Sequence, residues 1–321
     1  MPAPVVIHAN DETLPATDGY PLAATCFEPA RGRALEPRTL VVVMAATGVT
    51  RRHYRRFAAY LAERGIVAVT FDYRGIGDSA SGPIATTRMA MSDWGTKDAA
   101  GVIEWARRTY APGRVVVVGH SAGGQLVGVA ANHDRVDAVL AIGAQSGDWR
   151  LWPARDRALM AFIWYVAIPG VTAVLPHFPS RWIGAGENLP RGIARQWARW
   201  CRSRDYILSE GDSIVERFAA YRGAIRAYQF ADDRYAPPAA VRALVSFYRS
   251  AQREIVRCAP ADVSEDRIGH FGFFRERFRA TLWDDAVAWI NDPDAPPRFG
   301  TRERVDTDAA PCPRPAPRSS R

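Results

Sequence analysis

Residues 115–124 read Val-Val-Val-Val-Gly-His-Ser-Ala-Gly-Gly. Four consecutive β-branched apolar residues suit a strand buried on both faces, as in a parallel sheet covered by helices. The run ends without an ordinary turn, so the chain must pass from strand to helix within a residue or two of Ser121. In so sharp an elbow the side chains two places before and after the serine would collide. Gly119 and Gly123 stand where a Cβ is not tolerated. The elbow lifts the Ser121 hydroxyl off the sheet and leaves the Ala122 amide at a helix start, facing any negative charge that develops there.

The rest of the chain repeats the same rhythm. Short strands are expected at 5–8, 14–17 and 22–27, with Asp18-Gly19 as a hairpin turn. Buried strands are expected at 40–44, 66–71, 114–118 and 136–142, and helices at 50–64, 94–110 and 122–132. The rhythm breaks at 146–222, which has no convincing central strand but holds six of the ten tryptophans. Alternation resumes with a strand at 224–230, a helix at 238–248, a strand at 254–257 and a last helix at 274–290. The expected fold class is therefore α/β: a mainly parallel central sheet flanked by helices, with a helical cap inserted after the sixth strand. On this reading residues 1–290 form one domain and the Pro/Arg-rich tail 291–321 is disordered.

With 48% hydrophobic and 24% charged residues, the composition excludes disordered, collagen-like and coiled-coil classes. The net charge of +8 is local. Residues 150–204 hold nine arginines against Asp156 and Glu187, so that segment carries +7 of it. Lys97 is the only lysine, and the arginine usage is read as genomic composition, so no nucleic-acid partner is expected. A basic, aromatic cap does suit a weak contact with an anionic membrane surface. The apolar stretch 158–175 is about 18 residues long and broken by Pro169-Gly170, marginal for a span. The four cysteines (26, 201, 258, 312) form no close pair, and no metal-ligand spacing occurs, so neither a disulfide framework nor a metal is expected. A reducing, cytoplasmic setting follows by default.

A serine nucleophile needs a base and a group to orient it. Of six histidines, His270 lies in Ile-Gly-His-Phe-Gly, a Gly-flanked loop between the last strand and the last helix. It can reach over the strand ends, and it is the candidate base. The orienting acid should follow the strand 224–230, where Asp232 and Asp233 stand side by side. Asp233 is the first choice, Asp232 the alternate, and Asp148 a distant third. The segment 72–79, Asp-Tyr-Arg-Gly-Ile-Gly-Asp-Ser, lacks the spacing of a phosphate loop and reads as a packed loop beside the site.

With these motifs in place the chain resembles an α/β-hydrolase of the serine-aminopeptidase-like and monoglyceride-lipase-like branch, in the chain order Ser…Asp…His. It is most similar to bacterial α/β-hydrolases of unassigned substrate. The resemblance spans about 10–290 and includes Ala45-Ala46-Thr47-Gly48, the 72–79 loop, 195–200 and 269–274. It implies Ser121, Asp233 and His270 as nucleophile, acid and base. It also implies backbone oxyanion donors at Ala122 and at Ala46 or Thr47, no cofactor, and a small acyl substrate. Where relatives carry His-Gly, this chain has Ala45-Ala46. The expected reaction is hydrolysis of an ester or thioester with an apolar acyl group through an acyl-enzyme. Amide or carbon–carbon hydrolysis on the same triad is the alternative, and a non-catalytic binding or peripheral membrane module is the alternative of another class.

Overall fold

The computed structural model describes residues 7–30, 38–80, 88–183 and 186–305. Nine strands form one sheet: β1 (Ile7–Pro15), β2 (Pro21–Pro29), β3 (Thr39–Met44), β4 (Val67–Phe71), β5 (Arg114–His120), β6 (Ala138–Ile142), β9 (Ala224–Phe230), β10 (Arg253–Cys258) and β11 (Thr301–Arg304). β7 (His177–Phe178) and β8 (Leu189–Pro190) form a separate small ribbon. The order across the sheet is β1-β2-β4-β3-β5-β6-β9-β10-β11. The six strands β4-β3-β5-β6-β9-β10 are mutually parallel, and β1, β2 and β11 run antiparallel to their neighbours. All three valine-rich central strands, β3, β4 and β5, are buried almost end to end, as their unbroken apolar runs require. Parallel strands need crossovers, and the helices Arg55–Glu63 and Ala100–Tyr110 supply two of them.

Several elements differ from expectation. The two short strands at the start are one strand, β1, whose partner β2 follows the Asp18-Gly19 turn; Gly19 takes φ +80° there. The helix after the elbow is only Ala122–Gln125, not 122–132. A tighter 3-10 turn, Val127–Val129, follows it, and there a Cβ added to Gly128 would stand 2.6 Å from the Phe218 ring, so the backbone lies close under the cap. The last helix begins only after the turn Glu276–Phe278, running on through a wider turn at Arg279–Trp283 into Asp284–Asn291. Within the tail expected to be disordered, Thr301–Arg304 form β11, which pairs with β10 from Glu254↔Arg304 to Arg257↔Thr301, while 306–321 lie outside the described residues. Glu303 anchors it by ion pairs with Arg242 and Arg257. A four-residue strand with three charged side chains carries too weak a hydropathy pattern to be seen from sequence.

Between β6 and β9 lies the helical cap. One continuous helix, Ala154–Val174, is followed by the β7–β8 ribbon and then by the helices Arg191–Arg202 and Asp212–Ala220. Trp164 and Trp197 pack edge to face at 4.9 Å, and the Trp200 side chain is fully buried, so part of the tryptophan content is cap core.

Candidate active site

The site lies at the carboxyl ends of β5, β6 and β9, where an open parallel sheet presents its functional loops. β5 ends at His120, and Ser121 takes φ +50°, ψ −114°. A non-glycine residue held there costs about 1–3 kcal/mol, which the surrounding packing must offset. The packing is tight enough. A Cβ on Gly119 would lie 2.5 Å from the Gly124 backbone, and one on Gly123 would lie 2.0 Å from the Met44 carbonyl oxygen. The Ser121 amide donates to the Ile142 carbonyl at 2.9 Å, tying the elbow to the end of β6.

The loop after β9 carries Asp233, the candidate acid. Asp233 is buried, and its Oδ1 accepts the amides of Tyr235 (2.8 Å) and Ala236 (3.2 Å). Its Oδ2 lies 2.7 Å from His270 Nδ1. A carboxylate oxygen can only accept, so His270 carries its proton on Nδ1 and presents Nε2 as a proton acceptor. Gly143, with φ +55°, lies directly beneath: a Cβ there would stand 3.1 Å from Asp233 Oδ2 and 3.3 Å from His270 Nδ1. Asp232 does different work. Its carboxylate accepts the amides of Ile268 and Gly269, both at 3.0 Å, and so pins the loop that carries His270. Asp148, the third candidate, pairs with Arg150 at 2.5 Å and holds a turn at the start of the cap.

The second oxyanion donor needs a correction. The Ala46 amide donates to the Tyr54 hydroxyl at 2.8 Å and is not free to receive a charged oxygen. Beside it, the Thr47 Oγ1 is buried with no hydrogen-bond partner among the described residues.

Two groups escaped the sequence reading: His120 and Tyr54. Both are fully buried. His120 Nε2 is 2.9 Å from the His270 carbonyl oxygen, and its Nδ1 is 2.9 Å from the Tyr54 hydroxyl. The carbonyl can only accept, so Nε2 bears the proton and Tyr54 must donate to Nδ1, leaving its lone pair for the Ala46 amide. Burial, with His270 nearby, drives the His120 pKa well below the ordinary histidine value, so the ring is neutral, as this pattern requires. The chain Ala46–Tyr54–His120–His270 therefore links the loop after β3, the elbow and the His270 loop. The signal was present in Gly-His-Ser, since a polar ring inside a buried elbow must find partners. Tyr54 carried no such mark.

The 72–79 loop is a packed brace. Asp72 is fully buried; it accepts the Arg51 amide at 2.6 Å and the Arg51 guanidinium at 2.6 Å. Tyr73 stacks on Trp94 at 4.7 Å. Among the described residues no group of three or more His, Cys, Asp or Glu side chains could hold a metal. Cys26, Cys201 and Cys258 are free and buried, and Cys312 lies outside the described residues.

Residues 35–257 match the family model described as serine aminopeptidase, S33. The chain belongs to that family of α/β-hydrolases. The matched stretch contains the elbow and all three candidate aspartates and stops short of the His270 loop. Solved structures share the fold of this S33 family member at low identity. DcsB, in complex with its substrate analogue, is 14% identical with a TM-score of 0.61, over 89% of this chain and 99% of its own. Est1E from Butyrivibrio proteoclasticus, with ferulic acid bound, is 15% identical with a TM-score of 0.58, over 88% and 98%. The esterase domain of a Rhodothermus marinus protein is 15% identical with a TM-score of 0.54, over 88% and 97%.

Proposed function

We propose that this S33-family hydrolase is a serine esterase acting through an acyl-enzyme, with Ser121 as nucleophile, His270 as base and Asp233 as its orienting acid. The observation that carries the reading is the 2.7 Å contact between Asp233 Oδ2 and His270 Nδ1, which fixes the tautomer a general base needs. Ser121 Oγ attacks the ester carbonyl while His270 Nε2 takes its proton. The developing oxyanion is received by the amides of Ala122 and Thr47; one such donor contributes about 2.7–4 kcal/mol. His270 then protonates the departing alcohol. Water, activated by the same imidazole, releases the acid and restores Ser121.

Support for an apolar acyl or alcohol group comes from the rings around the base. Phe271 and Tyr235, both exposed, lie 5.0 and 5.2 Å from the His270 ring. The family description favours a second reading, removal of an amino-terminal residue from a peptide. That chemistry needs an acid to hold the free ammonium. Asp148, Asp232 and Asp233 at the strand ends are each engaged by other donors, which weighs against it.

A fluorophosphonate probe followed by a substrate panel tests the proposal. Wild type should be labelled and Ser121→Ala should not, with turnover falling on the order of 10⁶. p-Nitrophenyl esters should be cleaved well ahead of aminoacyl anilides. Equal labelling of Ser121→Ala, or a preference for the anilides, would overturn the esterase reading.

A further inference from the structure

The cap helix Ala154–Val174 is apolar enough in composition to cross a membrane, yet only 17% of its most apolar window is buried within the protein. Its two faces differ. Trp164, Ile168 and Thr172, spaced four apart, point inward and are buried. Arg195 clamps the last of these, with Nε 3.0 Å from Thr172 Oγ1 and Nη2 2.9 Å from the Thr172 carbonyl. Leu159, Phe162 and Val166 lie about half a turn round, on the outward face, and are more than half exposed. Val174 (78% exposed), at the end of the helix, and Trp182 (80% exposed), after it, are apolar and exposed as well.

A face of this kind needs an occupant, and the charge around it narrows the choice. The helix opens with Arg155 and Arg157, and Arg181 stands beside Trp182; the Arg155 and Arg181 side chains are largely exposed. Residues 150–204 carry nine arginines against two acids. A second copy of this chain would bring a like-charged cap against the first. A span is excluded by the inner face, which is held to the cap core, and by the charged first turn. An interfacial helix combines Phe, Leu and Trp on one side with arginines at its border, and an anionic bilayer satisfies both.

We propose that the cap docks the protein on anionic lipid surfaces, with the helix Ala154–Val174 lying in the membrane plane and Leu159, Phe162, Val166 and Trp182 entering the headgroup boundary. The arrangement holds the cap side of the molecule against a source of apolar substrates.

Vesicle flotation with the full chain tests this without any turnover. Wild type and Ser121→Ala should both float with phosphatidylcholine vesicles containing phosphatidylglycerol and not with phosphatidylcholine alone. Phe162→Glu/Val166→Glu should weaken binding by at least about tenfold, and Arg155→Gln/Arg157→Gln should weaken it and flatten its dependence on salt. Unchanged melting temperatures would show that both variants fold. The proposal falls if wild type floats with neither vesicle, if Phe162→Glu/Val166→Glu floats like wild type, or if wild type is a dimer in vesicle-free solution that this variant dissociates. Failure of the esterase reading would leave the flotation result unaffected, because binding is read on the Ser121→Ala protein as well.

Discussion

His120, one residue before the elbow serine, donates through Nε2 to the backbone carbonyl of His270 across 2.9 Å. The two rings lie 5.0 Å apart, so the histidine of the elbow supports the loop of the other histidine from below. Tyr54 completes the link by donating to His120 Nδ1 while accepting the Ala46 amide.

Tyr54→Phe removes the middle of that chain and leaves His120 Nδ1 and the Ala46 amide buried without partners. Unpaired buried groups cost about 1–3 kcal/mol each, so the melting temperature should drop by several degrees. With both flanking loops loosened, kcat should fall about tenfold while KM stays near its wild-type value. Steady-state kinetics beside a thermal melt check both; a melt shift with unchanged kcat would reduce Tyr54 to a packing residue.

The paired aspartates have different partners, and their variants should separate. Asp233→Asn removes the acceptor that fixes the His270 tautomer, and kcat should fall on the order of 10⁴ with little change in fold, as the same exchange does in other triads. Asp232→Asn keeps the tautomer and weakens only the anchor at Ile268 and Gly269, so a loss nearer tenfold is expected. Reversed magnitudes in parallel assays would exchange the two roles.

Two glycines give opposite signs. Gly123→Ala would place a Cβ 2.0 Å from a backbone oxygen of β3, and that strand has no room to yield. The variant should be destabilised by more than about 3 kcal/mol or not fold. Gly170→Ala, in the cap helix with nothing within 4 Å, should stabilise by about 0.5–1 kcal/mol. Denaturant titrations of both variants measure the contrast.

His120 also predicts a pH dependence. Burial holds its folded-state pKa well below 6.5, while the unfolded chain takes up a proton near the ordinary histidine value. As pH falls below about 6.5 the unfolded state binds more protons than the folded state, so stability declines by up to about 1.4 kcal/mol per pH unit. Burial and Arg275 lower His53 in the same direction. Above about 6.5 both contributions are complete and the curve should flatten. Urea titrations at pH 5.5, 6.5 and 7.5 would read the decline, and His120→Gln should make it shallower.

Legibility in the sequence followed the strength of the physical constraint. The valine strands and the Gly119–Gly123 elbow were readable because an all-apolar strand and a forbidden Cβ leave few alternatives. Chain order placed Asp233 and His270 at one rim, and the geometry there bears on the choice between the two aspartates. The Ala46 amide could not be judged from sequence, because its partner Tyr54 is eight residues away and reaches it only through the turn of Arg51–Tyr54. The close approach of Gly128 to Phe218, ninety residues on in the cap, was hidden for the same reason.

β11 has a practical consequence. Among the described residues it is the outermost strand on its side of the sheet, and it covers the hydrogen-bonding edge of β10. A chain trimmed at Asn291, where sequence alone would end the domain, would leave that edge bare, a template on which chains can stack and aggregate. Ending the chain after Val305 keeps the edge closed.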